Sequence, residues 1–359
     1  MTQSTAQQRA ADLFAAITGP NTPAANAVEL SEDELREQGY VIGMTADENE
    51  AAYFGEIRCK HPALSQSTAH TLITECPEDA WAEHPKGGGQ QSDSTAAMDE
   101  GNLFDKLLTG GWDFGAQGAE QVWERTKGSG KKQEVERCSY TDVNGFRVIE
   151  ADGYTKRIAQ DIRDDAREKG LVPILSEKLA DALKRLETIR ARLELAGVDL
   201  NAGKRQVSVY WVEYASDGTP VQCRGRLDQL DGWMIRDLKT TDTLQPQRWA
   251  RKSYEYGYHI QAAAYVRALE RITGEYGRFQ FEWVLVRKGD RPMCPRRPIG
   301  NSLLECGNAE WLYAVNKWAK CLKAGLFSGY EMQPVEPVEA EPWMLIRSGQ
   351  LIGEVQDGE

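Results

Sequence analysis

Hydrophobic periodicity divides the chain into strand-like and helix-like segments. Residues 206–214 (QVSVYWVEY) alternate strongly, which predicts a strand. Two shorter runs of the same kind, 221–227 and 233–238, flank Gln229-Leu230-Asp231-Gly232, whose Asp-Gly pair is a strong hairpin signal. On this pattern Asp228 closes one strand, and 279–287 (FQFEWVLVR) supplies another. A period of three to four governs 176–196, where Leu179, Leu183, Leu186, Ile189 and Leu193 form one apolar stripe stopped by Gly197. Such a stripe means packing. A final helix over 309–325 carries Trp311 and Trp318 seven apart, on one face toward the core. Nearer the N-terminus, polar signals set the boundaries. Residues 5–17 predict a helix ended by Gly19-Pro20, Ser31 and Glu34 fit a capping box, and Ser65 or Ser67 caps a helix ending before Pro77. Residues 97–108 predict a helix whose Gly101 allows close packing, whereas 112–150 predict little beyond a loop at 128–132.

Composition narrows the class. With 359 residues, 41% of them hydrophobic, the chain can bury a real core as one large domain or two small ones. Its longest apolar runs are a few residues, so no membrane span and no secretion signal is expected. Seven scattered cysteines without a Cys-x-x-Cys pair predict reduced thiols in a cytoplasm, and their spacing gives no support for an iron–sulfur cluster. The net charge of −12 argues at first against a nucleic-acid partner. A recessed, locally basic channel would override that balance.

Candidate chemistry concentrates between Cys223 and Arg267. Side chains alternate along a strand, so Asp237 and Lys239 share a face while Leu238 points into the core. Asp228 and Asp237, brought together across a hairpin, repel unless a cation lies between them, and Mg²⁺ or Mn²⁺ suits oxygen ligands there. A lysine beside such an ion can hold a water and offset charge on a phosphate under attack, which points to metal-assisted phosphodiester hydrolysis. Downstream, Gln261 and Tyr265 share one helix face, where they could orient the lysine or bind a DNA backbone. Glu213 and Asp217 are further acids nearby, accounted for by hairpin solubility.

Gly225-Arg226-Leu227-Asp228, then Asp237-Leu238-Lys239-Thr240-Thr241, then a helix with Gln261-x-x-x-Tyr265, together resemble the RecB-like branch of the PD-(D/E)XK nuclease superfamily. The phrase YGYHIQAAAY at 256–265 looks most like the RecE-type exonucleases (exonuclease VIII) and their phage relatives. Leu227-Asp228 replaces the Pro-Asp of the superfamily name. Where RecE-like proteins carry Gly-x-x-x-His, this chain has Gly101 and Asp105. An aspartate can ligate Mg²⁺ directly, but any role of the histidine is then in doubt.

The resemblance implies a PD-(D/E)XK α/β core, a mixed central sheet flanked by helices, over residues 46–345, with a helical appendage at 1–45 and a tail at 346–359. It implies a site in which Asp105, Asp228, Asp237 and the Leu238 carbonyl hold two Mg²⁺ (or Mn²⁺) ions, with Lys239, Gln261 and Tyr265 as its other members. Ser65, Ser67, Arg224, Arg226, Arg248 and Arg251 are weaker candidates for DNA contact. The implied substrate is linear double-stranded DNA, digested 5′ to 3′ to leave 3′ overhangs for a single-strand annealing partner, by a homo-oligomeric ring in the cytoplasm of a bacterial host. Two alternatives stay open: a Cas4-like or endonucleolytic relative, and a catalytically inactive DNA-binding scaffold.

Overall fold

The computed structural model describes residues 29–46, 48–89, 107–108, 118–127, 134–143, 145–289, 291–332, 337–340 and 344–348. The chain divides into two compact units, Met1–Phe327 and Ser328–Glu359. The second contains a short 3-10 turn, Tyr330–Met332, and helical residues 344–348.

The first unit is a mixed α/β structure. Among its described residues the first element is α1 (Glu32–Glu37), where Ser31 and Glu34 form the expected reciprocal capping box. Next come β1 (Gly43–Thr45), α2 (Glu50–Phe54), α3 (Gln66–Thr74) and α4 (Pro77–Ala82). Ser65 caps α3 by accepting from the Thr68 N–H at 3.2 Å. Strands β2 (Glu120–Lys127), β3 (Glu134–Val143) and β4 (Phe146–Ile149) follow, then α5 (Arg157–Glu168), β5 (Val172–Leu175) and α6 (Ser176–Leu195). The rest of the unit runs β6 (Lys204–Tyr214), β7 (Pro220–Asp231), β8 (Met234–Thr241), α7 (Pro246–Glu255), α8 (Tyr258–Thr273), β9 (Gln280–Arg287), β10 (Arg296–Pro298) and α9 (Asn301–Ala324).

Six strands form the larger sheet in the order β1-β6-β7-β8-β9-β10, antiparallel except for the parallel pair β8–β9. Strand β1, within the segment expected to be an appendage, is its edge. A smaller sheet, β2-β3-β4-β5, is antiparallel except between β4 and β5. Alternation along the larger sheet sends Val207, Val209, Trp211, Ile235, Phe281, Trp283 and Leu285 to one face, where they meet α8 and α9 through Ile260, Leu269, Trp311 and Trp318. Its other face, through Leu238, Val284 and Val286, packs on the α6 stripe (Ala182, Leu186, Ile189, Leu193) and on Phe146 and Ile174 of the smaller sheet. A sheet covered on both faces fits the near-continuous apolar run of β9. Glu213 departs from expectation. It is fully buried, held by Arg267 at 2.7 Å and Arg271 at 3.3 Å and by the indoles of Trp211 and Trp311.

Candidate active site

The hairpin turn falls later than its sequence suggests. Asp231 pairs with Met234 around Gly232-Trp233, Gly232 taking a φ of 57°, so β7 runs through Asp228 instead of ending there. What extends the strand is side-chain anchorage: the Gln229 amide donates to the Asp199 and Ala202 carbonyls, both at 2.7 Å, and Leu230 enters the core.

Asp228 sits at a break in the alternation. The β6–β7 ladder skips the Gln206–Asp228 position, and Gln206 has a φ of 47°, an uncommon value for a residue with a Cβ. Leu227 and Leu230, three apart, consequently both enter the core shared with α8. Beyond the last pair of the hairpin ladder, Gln229 with Arg236, the next two residues are Asp228 and Asp237. The Leu238 N–H donates to Asp228 Oδ2 at 2.8 Å, fixing one carboxylate against the opposite strand.

Asp237 is 1% exposed, on the strand face that meets α8. Gln261, on the first turn of α8, donates through Nε2 to Asp237 Oδ1 at 3.0 Å, with the Tyr265 hydroxyl 3.4 Å from the same nitrogen. Tyr265 in turn donates to the Arg226 carbonyl at 2.9 Å. The four-residue spacing thus ties α8 to both strands of the hairpin. Gly225 makes this possible: a Cβ there would lie 2.6 Å from the Tyr265 ring. Lys239, its side chain 20% exposed, places Nζ 2.8 Å from Asp237 Oδ2. That oxygen is buried, and the lysine ammonium is its ion-pair partner.

Burial, and secondarily the Asp228 charge, push the Asp237 carboxyl up to about 7 against the pull of Lys239. Burial acts to lower Lys239, but the Asp237 and Asp228 charges outweigh it and hold the ammonium above its ordinary range. Burial also raises the Tyr265 phenol well above its usual value, so it acts as a donor.

Two neighbouring carboxylates, one of them almost fully buried, suit a hard divalent cation, which keeps several waters of its own. Among the described residues no group of three or more His, Cys, Asp or Glu side chains could hold a metal. Asp105 lies outside the described residues.

The expected DNA contacts separate. Arg224 is buried, its guanidinium bonded to the Tyr53 carbonyl, 3.5 Å from Glu56 and 4.8 Å above the Tyr53 ring. Arg226 is engaged by Gln206 at 3.0 Å, Ser208 at 3.2 Å and the Glu48 carbonyl at 3.3 Å. Both guanidiniums are engaged by the protein's own groups, Arg224 in the interior and Arg226 in a partly exposed position. Ser65 is buried by its capping role, Ser67 is exposed, and Arg248 and Arg251 are exposed on α7. One neighbour was missed from sequence: Tyr258, whose ring lies 4.7 Å below Lys239 Nζ. Its position in the YGYHIQ phrase, three residues before Gln261, was the available signal.

Residues 65–330 match the family model described as a PDDEXK-like domain of unknown function (DUF3799). No curated protein sequence matches the chain. Among solved structures, a "putative exonuclease" from Eubacterium rectale is similar at 14% identity and a TM-score of 0.49, covering 83% of this chain and 97% of that one. A protein designated SSO0001 is similar at 13% identity and a TM-score of 0.22, covering 44% and 71% respectively. The family match takes in β7, β8 and α8 with all five residues of the site just described, and the chain belongs to the PDDEXK-like DUF3799 family of the PD-(D/E)XK nuclease superfamily.

Proposed function

We propose that this protein is a divalent-metal-dependent exodeoxyribonuclease acting on the ends of linear duplex DNA. The observation that carries the proposal is the meeting of Asp228, Asp237 and Lys239 on the β7–β8 hairpin, Asp237 buried and the other two partly exposed, with Gln261 and Tyr265 closing the site from α8. Asp228, Asp237 and the Leu238 carbonyl would hold Mg²⁺ or Mn²⁺, with Asp105 as a further ligand. A metal bound there supplies Lewis acidity at the scissile phosphate. Lys239 orients the attacking water and offsets the charge that develops on the phosphate oxygens. Gln261 positions Asp237, and Tyr265 holds the hairpin and helix in register; both act through neighbours. Arg248 and Arg251 offer exposed charge to a DNA backbone.

RecE-like specificity belongs to the same proposal and rests on the 256–265 phrase: digestion from the 5′ end, 3′ overhangs passed to a single-strand annealing partner, and a homo-oligomeric ring. Nuclease domain limits of 46–345 accompany it.

The test is digestion of linear duplex labelled at either end, with Mg²⁺ or EDTA, beside a covalently closed circle. Early release of 5′ label that needs Mg²⁺, spares the circle and falls by about 10²–10³ in Lys239→Ala is expected. Cutting of the circle would assign an endonuclease; no cleavage in any divalent metal would overturn the enzyme.

A further inference from the structure

An aromatic stack connects the interior to the surface beside the catalytic lysine. Trp283, buried on β9, meets Trp249 of α7 edge-on at 5.6 Å. Trp249 stacks on Tyr258 at 5.8 Å, and Tyr258 on Tyr256 at 5.9 Å with the rings 21° apart. Burial falls along this series: Trp249 is 3% exposed, whereas Tyr256 is 52% exposed. Tyr258, the third ring, is the one beneath Lys239 Nζ. Tyr256 therefore stands one ring away from the proposed chemistry, at the solvent end.

The turn that presents Tyr256 is held rigidly. Gly257 takes a φ of 68°, and a Cβ there would lie 2.5 Å from the His70 ring. His70 Nε2 donates to the Glu255 carbonyl at 3.1 Å, so α3 clamps the turn from the other side. The nearby exposed Tyr254 is accounted for differently: it stacks on His259 at 4.6 Å, and hydrogen bonding to Glu310 raises its phenol. Tyr256, by contrast, is stacked on Tyr258 and still left 52% exposed.

The helix that leads to Tyr256 is basic on balance. Helix α7 carries Arg248, Arg251 and Lys252 against one acid, Glu255 at its last position beside Tyr256, in a chain whose net charge is −12. Lys252 Nζ is 5.9 Å from the Tyr256 centroid and is held by Asp242 at 2.6 Å. A half-exposed, preorganised ring beside Lys252, on the end of a helix that also carries the exposed Arg248 and Arg251, matches the chemistry of an unpaired nucleotide: a π-face for the base and positive charge for its phosphates.

We propose that Tyr256 is a stacking platform for an unpaired nucleobase of the DNA strand whose phosphodiester enters the Asp228–Asp237–Lys239 site. The proposal rests on the nuclease function above. It makes a frayed or single-stranded terminus, not an intact duplex, the form of substrate that seats beside Lys239.

The experiment uses the full chain in EDTA, where binding is read without cleavage. A single-stranded oligonucleotide carrying 2-aminopurine is titrated at fixed salt, following anisotropy of an end dye and 2-aminopurine fluorescence. Tyr256→Ala should weaken binding about tenfold and abolish quenching of the stacked base, while Tyr256→Phe and Tyr256→Trp keep both. Circular dichroism of each variant should match that of the parent, because the ring is exposed. Unchanged affinity and quenching in Tyr256→Ala would overturn the proposal, as would an equal loss in Tyr256→Phe, which would assign a hydroxyl contact instead. Parent protein that digests DNA while Tyr256→Ala binds normally removes this inference alone; parent protein that neither binds nor cleaves DNA removes both.

Discussion

Asp237 is subject to opposing demands under the proposed function: it is almost fully buried, yet it would have to be ionised to hold a cation. Its carboxyl is raised from 3.8 to about 7, so between those values the folded chain carries a proton that the unfolded chain has lost. Metal-free stability is therefore fullest below the lower value and falls as pH rises toward the upper one. Urea midpoints across this range should drop in EDTA, and Asp237→Asn should flatten the slope. Affinity for Mg²⁺ runs the other way and climbs over the same window, because binding displaces the proton. Gly225 gives a second test at this scale. Gly225→Ala drives a methyl into the Tyr265 ring and should cost ~1–3 kcal/mol by overpacking while disturbing the tyrosine that braces the hairpin, readable as a lower melting temperature together with reduced cleavage. The carboxylates and lysine were legible in the sequence because an Asp-Gly turn and strand alternation bring them together locally. Arg224 was misjudged because its partner, Glu56, lies far upstream, and a linear charge pattern contains no information about such a contact.

At the scale of elements, the larger sheet was readable and the smaller one was not. Strands β6, β7 and β9 show alternation or a continuous apolar run, the imprint of burial on at least one face. By contrast β2 is mostly exposed, with Glu, Arg and Lys through its length, so its period carries little contrast. The smaller sheet is secured instead by Arg147, 1% exposed, clasped by Asp142 at 2.6 Å and by Asp165, with the Tyr140 ring 4.3 Å away. Glu213 performs the corresponding task for the larger sheet, pinning β6 to α8. Burial acts to raise its carboxyl, but the Arg267 charge and hydrogen bond, aided by Arg271, hold it below the ordinary 4.5. Its stabilising contribution is thus complete above that value and is lost as pH falls through the folded pKa. Glu213→Gln should cost about 2 kcal/mol in denaturant unfolding at neutral pH, less than a fully buried pair because both arginines remain about a quarter exposed.

For the molecule as a whole, a cation bound only by the folded state stabilises by mass action. Mg²⁺ at a hundred times its dissociation constant should add ~2.7 kcal/mol, seen as a rise in melting temperature that EDTA reverses. Asp237→Asn should show no rise. The acidic balance of the chain leaves the basic stretch of α7 as a local exception, so binding to DNA should weaken with salt without the steepness of a uniformly basic protein. One connection shapes how the protein comes into being. Leu64 bridges Cys223 on the N-terminal half of β7, beside the half that pairs with β8, and β8 is bordered in parallel by β9 from beyond two helices. During synthesis the ribosome releases α3 long before β7 exists to receive it, and the Asp-x-Lys strand before β9 can flank it. A nascent chain lacking β9 therefore carries the Asp-x-Lys strand with one hydrogen-bonding edge unpaired, and the larger sheet closes around that strand only after residue 287 has emerged.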